Sequence, residues 1–321
     1  MKAIIYRKYG PPNVLELTEV DKPAPEPNEV LIKVFATTVT TADCMMRRGD
    51  TFMSRVLLGL FKPMRKFQIL GTEFSGKIEA VGNMVKKFNP GDEIFAFRGF
   101  GSGCYAQYKC MSEAGSLAMK PNNIPFEEAA SVVDGATTAL FFLEKARIQK
   151  GQKVLINGAS GSIGTFAVQL AKYYGAEVTC VCSTKNIELV KSLGADKVVD
   201  YTKEDFAETG NDYDIIFDTV GKSSFASCKK ALNSRGKYVT TVLTLRVAFL
   251  SLLTGYVSKR KVISGMSLNK TEALNCIRKL IEEGKLKPIL DRQYSFEELP
   301  AAHEYVEKGH KIGNLVISVS H

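Results

Sequence analysis

The feature that most constrains this chain is the stretch Val154-Leu-Ile-Asn-Gly158-Ala-Ser-Gly161-Ser-Ile-Gly164, where an apolar run feeds a glycine cluster that opens directly into a helical pattern. Lys153 to Asn157 reads as a buried strand. Ser162 to Tyr174 places Ile163, Phe166, Ala167, Leu170 and Ala171 on one helical face, and a second apolar run follows from Val178 to Cys182. A βαβ unit with glycines in its first turn predicts a dinucleotide site. The glycines allow a tight turn and close backbone approach, while the N–H groups and positive dipole end of the helix face a pyrophosphate. Ala159 stands where the first fingerprint glycine would be, which a negative φ at that position tolerates.

The end of the second strand speaks to the kind of dinucleotide. In NAD-binding chains an acidic residue about 20 positions beyond the loop takes the ribose 2′-hydroxyl. Here the strand ends Cys182-Ser183-Thr184-Lys185, and Glu188 falls one helical turn later. Two hydroxyls and a lysine suit a 2′-phosphate, with its several acceptor oxygens and near double charge, so NADPH is the expected cofactor. Ser183 or Thr184 can cap the following helix in the same arrangement.

A length of 321 residues predicts two domains. The first 120 residues or so alternate like short strands: Ala3 to Tyr6, Val14 to Leu17, Val30 to Val39, Phe74 to Val81, Glu93 to Phe97 and Tyr105 to Cys110. Turn residues at Gly10-Pro-Pro, Pro23 to Pro27 and Asn89-Pro-Gly-Asp92 punctuate them, which predicts an antiparallel, barrel-like domain. From Pro125 the pattern becomes helices alternating with buried strands (Val154 to Asn157, Val178 to Cys182, Lys197 to Asp200, Asp214 to Phe217, Gly236 to Thr241, Val262 to Ser264), that is, a doubly wound parallel sheet. The tail returns to the first style, with strands at Ile289 to Tyr294 and Asn314 to Val319 around a helix from Phe296 to Lys308. The expected fold is α/β: a Rossmann domain over 124–286, inserted in a mostly antiparallel domain over 1–123 and 287–321.

Composition bounds the function classes. With 45% hydrophobic and 24% charged residues the chain is an ordinary globular one. Seven cysteines without a C-x-x-C pair, in a chain that opens on a strand pattern, predict reduced thiols and a cytoplasmic setting. The net charge of +9 is spread over Arg47-Arg48, Lys62 to Lys66, Lys229-Lys230 and Arg260-Lys261 without a stripe, which argues against nucleic acid as partner. Two apolar stretches, 56–61 and 242–257, fall short of the roughly 20 residues of a membrane span, so no stable membrane insertion is expected. Their sequence leaves open a pocket wall, a subunit contact or a membrane surface.

Seven motifs then carry a resemblance along nearly the whole chain. They are Lys2-Ala-Ile; Gly71-Thr-Glu-Phe-Ser-Gly76 with Ala80-Val-Gly82; Asn89-Pro-Gly-Asp92; Gly135-Ala-Thr-Thr-Ala139; Gly158 to Gly164; Leu193-Gly-Ala-Asp196 with Val199-Asp-Tyr201; and Phe217-Asp-Thr-Val-Gly221. In this order and spacing the chain resembles the medium-chain dehydrogenase/reductase superfamily, and within it the zinc-free quinone oxidoreductase branch that includes zeta-crystallin. The resemblance implies a GroES-like catalytic domain around the Rossmann domain and a homodimer. It also implies that Gly158, Gly161, Ser162, Ile163 and Gly164 surround the pyrophosphate. Ser183, Lys185 and Tyr201 would hold the 2′-phosphate and adenosine end, Thr137 the nicotinamide amide, and Val220, Leu243 and Asn314 the cofactor's borders.

Zinc members of the superfamily use a cysteine and a histidine at positions that resemble Thr40 and Thr72 here, and hydroxyls are poor zinc ligands. No zinc is therefore expected. Two departures from the branch are the catalytic candidates: Thr40, where the branch often carries an Asn that frames the nicotinamide pocket, and Asp134 beside Thr137, where similar chains place an apolar or small residue. Asp134 is either a proton donor or relay, or a helix N-cap. The expected reaction is hydride transfer from NADPH to a quinone or an α,β-unsaturated carbonyl, with Thr51 to Phe67 as a substrate-side wall or lid. The alternative is a weakly catalytic cofactor-binding protein with a structural or membrane-associated role.

Overall fold

The computed structural model describes residues 1–50, 52–99, 103–208 and 212–321. Its contacts divide the chain into two units, Met1–Asp134 with Asn269–Glu283 and Pro288–His321, and Gly135–Leu268 with Gly284–Lys287.

The first unit contains strands β1 (Lys2–Ile5), β2 (Glu16–Glu19), β3 (Glu29–Thr38), β4 (Glu73–Val81), β5 (Glu93–Phe97), β6 (Tyr108–Ser112) and β7 (Ser116–Met119). The second contains β8 (Lys153–Asn157), β9 (Glu177–Cys182), β10 (Lys197–Asp200), β11 (Tyr213–Asp218), β12 (Leu232–Thr240) and β13 (Lys261–Ile263). β14 (Leu290–Ser295) and β15 (Asn314–Ser318) return to the first unit.

In the first unit the main sheet runs β14-β15-β3-β4-β5-β7, with β6 also paired to β3, while β1 and β2 form a separate antiparallel ribbon. Its pairs are antiparallel except β14 with β15. Side chains that alternate inward along these strands, among them Val30, Ile32, Val34, Phe74, Ile78 and Ile94, join Phe296, Leu299 and Leu315 in one core. In the second unit all six strands are parallel, in the order β10-β9-β8-β11-β12-β13. Val154, Leu155 and Ile156 are all fully buried, so β8 is covered on both faces, as its unbroken apolar run requires. The order reverses between β8 and β11, and such a switch point opens a crevice beyond the carboxyl ends of the strands. The glycine loop leaves β8 at that end.

The division departs from the expected boundaries at 123 and 287, because 124–134 and 269–283 pack with the first unit. The helix Phe126–Ser131 lies on β3, β4 and β15 with Ala129, Ala130 and Ser131 buried, and the helix Thr271–Glu282 lies against β7. Local differences are also physical. Pro12 fixes φ at the start of a 3-10 turn, Pro12–Val14, so the strand expected from Val14 begins only at Glu16. The apolar stretch 242–257 is largely a helix, Leu245–Val257, and the segment from 51 to 67 carries the helix Phe52–Leu58 and a 3-10 turn, Arg65–Phe67. Thr51 itself lies outside the described residues. Among the described residues no helix is long and apolar enough to cross a membrane.

Candidate active site

In the second unit the loop after β8 is shaped by its glycines. Gly158 has φ 81°, a left-handed conformation that disfavours any side chain, and its Cβ would run into Val220. Gly161 donates to the Gly158 carbonyl at 3.0 Å and begins the helix Ser162–Tyr173, whose N-terminus carries no side-chain cap. A Cβ on Gly164 would collide with the same Gly158 carbonyl and lie 2.8 Å from Ala159 Cα. The helix start therefore sits directly on the turn, and Ser162 and Ile163 stay half-buried beside it. These features fit a pyrophosphate, which needs main-chain donors and no side chain in the way.

At the end of β9, Ser183 precedes a 3-10 turn, Thr184–Asn186, with Ser183 half-buried and Lys185 exposed. Asn186 donates to Ser160 Oγ at 2.8 Å, while its own Oδ1 is buried without a hydrogen-bond partner among the described residues. Tyr201 follows β10 and is 59% exposed. The fold adds a carboxylate that the linear pattern does not reveal. Asp200, the last residue of β10, accepts hydrogen bonds from Thr184 Oγ1 (2.5 Å), Thr202 Oγ1 (2.7 Å) and the Thr202 amide (3.0 Å). Those hydroxyls, Thr184 first, hold its pKa down to about 2. The Thr184 hydroxyl is thus committed to Asp200.

Beyond β11, buried Asp218 accepts from the amides of Val220, Gly221 and Ser223 at 3.0–3.1 Å and from Tyr238 Oη at 3.0 Å. This carboxylate holds the turn that presents Val220, which is 48% exposed; Leu243, after β12, is 49% exposed. Thr137 is fully buried within the helix Val133–Lys145.

In the first unit Thr40 is the N-cap of the helix Thr41–Arg48. Its hydroxyl donates to Asp43 Oδ2 (2.6 Å) and accepts from the Asp43 amide (3.1 Å), and its own amide donates to Asp43 Oδ2 (2.9 Å). This is a complete capping box. Asn314 opens β15 and is buried. A second cluster forms around Glu73, a fully buried carboxyl that accepts from Thr38 Oγ1 and from the Asp134 amide, both at 2.5 Å. Asp134 occupies the first turn of its helix and forms a 2.5 Å salt bridge with Lys270, whose side chain is 2% exposed against 35% for Asp134. The ammonium also lies 4.2 Å from the centre of the Phe97 ring. Asp134 is therefore paired with a lysine 136 residues away, which neither the N-cap reading nor the proton donor or relay reading included.

Burial, and next the nearby Asp134 charge, push the Glu73 pKa well above the carboxylate range, and burial raises Asp43 to about 6. A carboxyl with a raised pKa keeps in the folded state a proton that the unfolded chain releases. Stability is then lost as pH climbs from the ordinary carboxyl range through the raised value. Glu73→Gln, whose amide oxygen can accept from the Asp134 amide while its NH2 donates to Thr38 Oγ1, is expected to be about 1–3 kcal/mol more stable than the parent in mildly alkaline buffer and equal to it in acid. Melting temperatures across pH read this directly, and parallel curves for the two proteins would remove the assignment.

His303 is enclosed, its Nδ1 3.3 Å from Cys44 Sγ and its Nε2 3.2 Å from Tyr105 Oη. Burial pushes its pKa down to about 3, so it is a packed, neutral imidazole. Among the described residues no three His, Cys, Asp or Glu side chains are grouped as a metal site.

Comparison with known proteins decides the family. Residues 26–122 match the alcohol dehydrogenase GroES-like domain, and residues 193–317 match the family described as zinc-binding dehydrogenase. A chloroplastic quinone oxidoreductase from Triphysaria versicolor is 32% identical over 99% of this chain and 98% of its own. The 2-methylene-furan-3-one reductase of Solanum lycopersicum is 33% identical over 99% of this chain and 79% of its own. Among solved structures, the quinone oxidoreductase from Coxiella burnetii superposes with a TM-score of 0.89, at 31% identity, over 100% of this chain and 99% of that one. The chain is a medium-chain dehydrogenase/reductase of the quinone oxidoreductase branch. As such it is an oxidoreductase with the Rossmann and GroES-like parts described above. Within this medium-chain dehydrogenase/reductase, sequence reasoning missed Lys270, Asp200 and Asp218. The first lies outside any motif; the others stand inside quoted motifs, yet their roles arise from pairings with other segments.

Proposed function

We propose that this chain is an NADPH-dependent, zinc-independent reductase that transfers a hydride to a quinone or to the β-carbon of an α,β-unsaturated carbonyl. The reading is carried by the end of β9, where Ser183 and Lys185 stand in place of a carboxylate, next to a glycine turn whose helix start lacks a cap. Bound NADPH would supply the hydride. Gly158, Gly161, Ser162, Ile163 and Gly164 leave room and main-chain donors for its pyrophosphate, Lys185 and Ser183 meet the 2′-phosphate, and Tyr201 offers a ring to the adenosine end. Thr137, Val220 and Leu243 serve its nicotinamide half.

The acceptor class follows from what the residues can stabilise. Conjugated acceptors spread developing negative charge onto a remote oxygen, so positioning and a proton source suffice without a Lewis acid. The Thr40 hydroxyl is occupied by Asp43, and a Thr40/Thr72 pair offers zinc neither thiolate nor imidazole. Lys270 Nζ donates to Asp134 Oδ1 and fixes that carboxylate, a third exposed, where it can relay a proton from water to the acceptor oxygen as the hydride adds. Two relatives, the quinone oxidoreductase and the 2-methylene-furan-3-one reductase, are named for acceptors of this class.

Steady-state assays with NADPH against quinones and enones test the reading. Turnover is expected to survive a zinc chelator, and its abolition by chelator would contradict the metal-free mechanism. For the cofactor, Lys185→Glu is expected to raise KM for NADPH by roughly tenfold while leaving that for NADH nearly unchanged, since it loses one charge-assisted contact and gains a repulsion. Equal shifts for both cofactors would defeat the 2′-phosphate assignment.

A further inference from the structure

The helix Leu245–Val257 is apolar on two opposite sides. Inward, Val247 and Leu250 pack against the core of the second unit, Ser251 Oγ donates to the Val262 carbonyl (2.9 Å), and buried Thr254 accepts from the Val262 amide (3.0 Å). Outward, Leu245, Phe249, Leu252 and Tyr256 are 91%, 67%, 64% and 88% exposed. Their spacing of four, three and four residues places them in one stripe along the helix. A helix that is apolar all round is normally covered all round, and a contiguous exposed patch of this kind marks an interaction surface.

The surrounding charge identifies the cover. From Thr219 to Thr271 the chain runs 53 residues without an Asp or Glu while holding ten Lys and Arg. Arg246 in the helix, and Lys259 and Lys261 just beyond it, are exposed, and among the described residues none of the three forms an ion pair. A second copy of the same surface, related by a two-fold axis, would bring cations against cations. An anionic bilayer complements both properties, because its headgroup boundary accepts apolar side chains and its phosphates attract the flanking cations. The helix has 13 residues, enough to lie in that boundary and too few for the roughly 20 of a span.

We propose that the outer face of the helix Leu245–Val257, together with Arg246, Lys259 and Lys261, docks this protein onto an anionic phospholipid surface. The docking is independent of turnover and is read by binding alone. In flotation assays with the whole chain, vesicles of phosphatidylcholine containing a third phosphatidylglycerol are expected to carry at least roughly tenfold more protein than vesicles of phosphatidylcholine alone. Leu245→Ser with Phe249→Ser, both on exposed positions, is expected to abolish that binding with an unchanged melting temperature. Lys259→Glu with Lys261→Glu is a second, independent variant that removes the charge and keeps the apolar stripe, and it too is expected to release the protein. Equal recovery on neutral vesicles, no recovery on anionic ones, or full binding by either double variant would overturn the proposal. So would a dimer, seen by sedimentation, that the Leu245/Phe249 variant dissociates, since a second copy would then own the face.

Discussion

Gly164→Val is expected to lower affinity for NADPH by more than roughly a hundredfold, because the valine occupies the space in which the turn after β8 rests on its helix. The added Cβ meets main-chain atoms of Gly158 and Ala159, which cannot rotate aside as a side chain could. Relieving the clash moves the turn, and with it the donors that face the pyrophosphate, at a cost to the fold of about 1–3 kcal/mol. The chain contains no tryptophan, so the fluorescence of NADPH itself reports its binding without overlap. Gly255→Ala, where an added Cβ meets nothing within 4 Å, controls for a methyl group placed in a helix. Should Gly164→Val bind NADPH like the parent, the loop is not the cradle.

Asp134→Ala is expected to destabilise the protein by about 3 kcal/mol, since it deprives Lys270 of the carboxylate beside its buried ammonium. Combining it with Lys270→Met should recover more than half of that loss, because an apolar pair of similar volume needs no desolvation offset. Denaturant midpoints for the two single variants and the double variant close the cycle. Additive losses would mean that the salt bridge contributes nothing. Asp134→Asn, assayed well below its own melting temperature, tests catalysis. It keeps the volume and removes the charge, and if Asp134 passes a proton, kcat falls with KM for NADPH unchanged; an unaltered kcat would dismiss the relay.

What could be read along the chain, and what could not, divides by the range of the interactions involved. The parallel strands announce themselves, since residues such as Val154 to Ile156 are buried on both faces and give unbroken apolar runs. Pro12 changes a strand into a turn for a local reason that lies in the sequence, but whether a strand resumes at Glu16 depends on its pairing with β1. The first-unit strand Ser116–Met119 is too short and too plain to stand out, and its pairing with β5 makes it a strand. The site shows the same division. Ser183, Lys185 and the glycines lie within one βαβ unit, so spacing alone brings them into view. Lys270 meets Asp134, and Thr38 meets Glu73, across separations that no periodicity spans.

The α/β class, the glycine turn at the start of a helix and the absence of an acid at the tip of β9 can all be read along the chain, because each depends on neighbours within about one βαβ unit. The tertiary structure alone decided the partners of the polar groups. It assigned Thr40 to a capping box with Asp43, Asp134 to Lys270, and Thr184 to Asp200. It also left the outer stripe of the helix Leu245–Val257 bare, while the chain shows only an apolar run. The physical reason is common to all of these. Burial and charge pairing depend on which distant segments the fold brings together, and an apolar or ionisable side chain carries no mark of whether water, a carboxylate or a core will meet it.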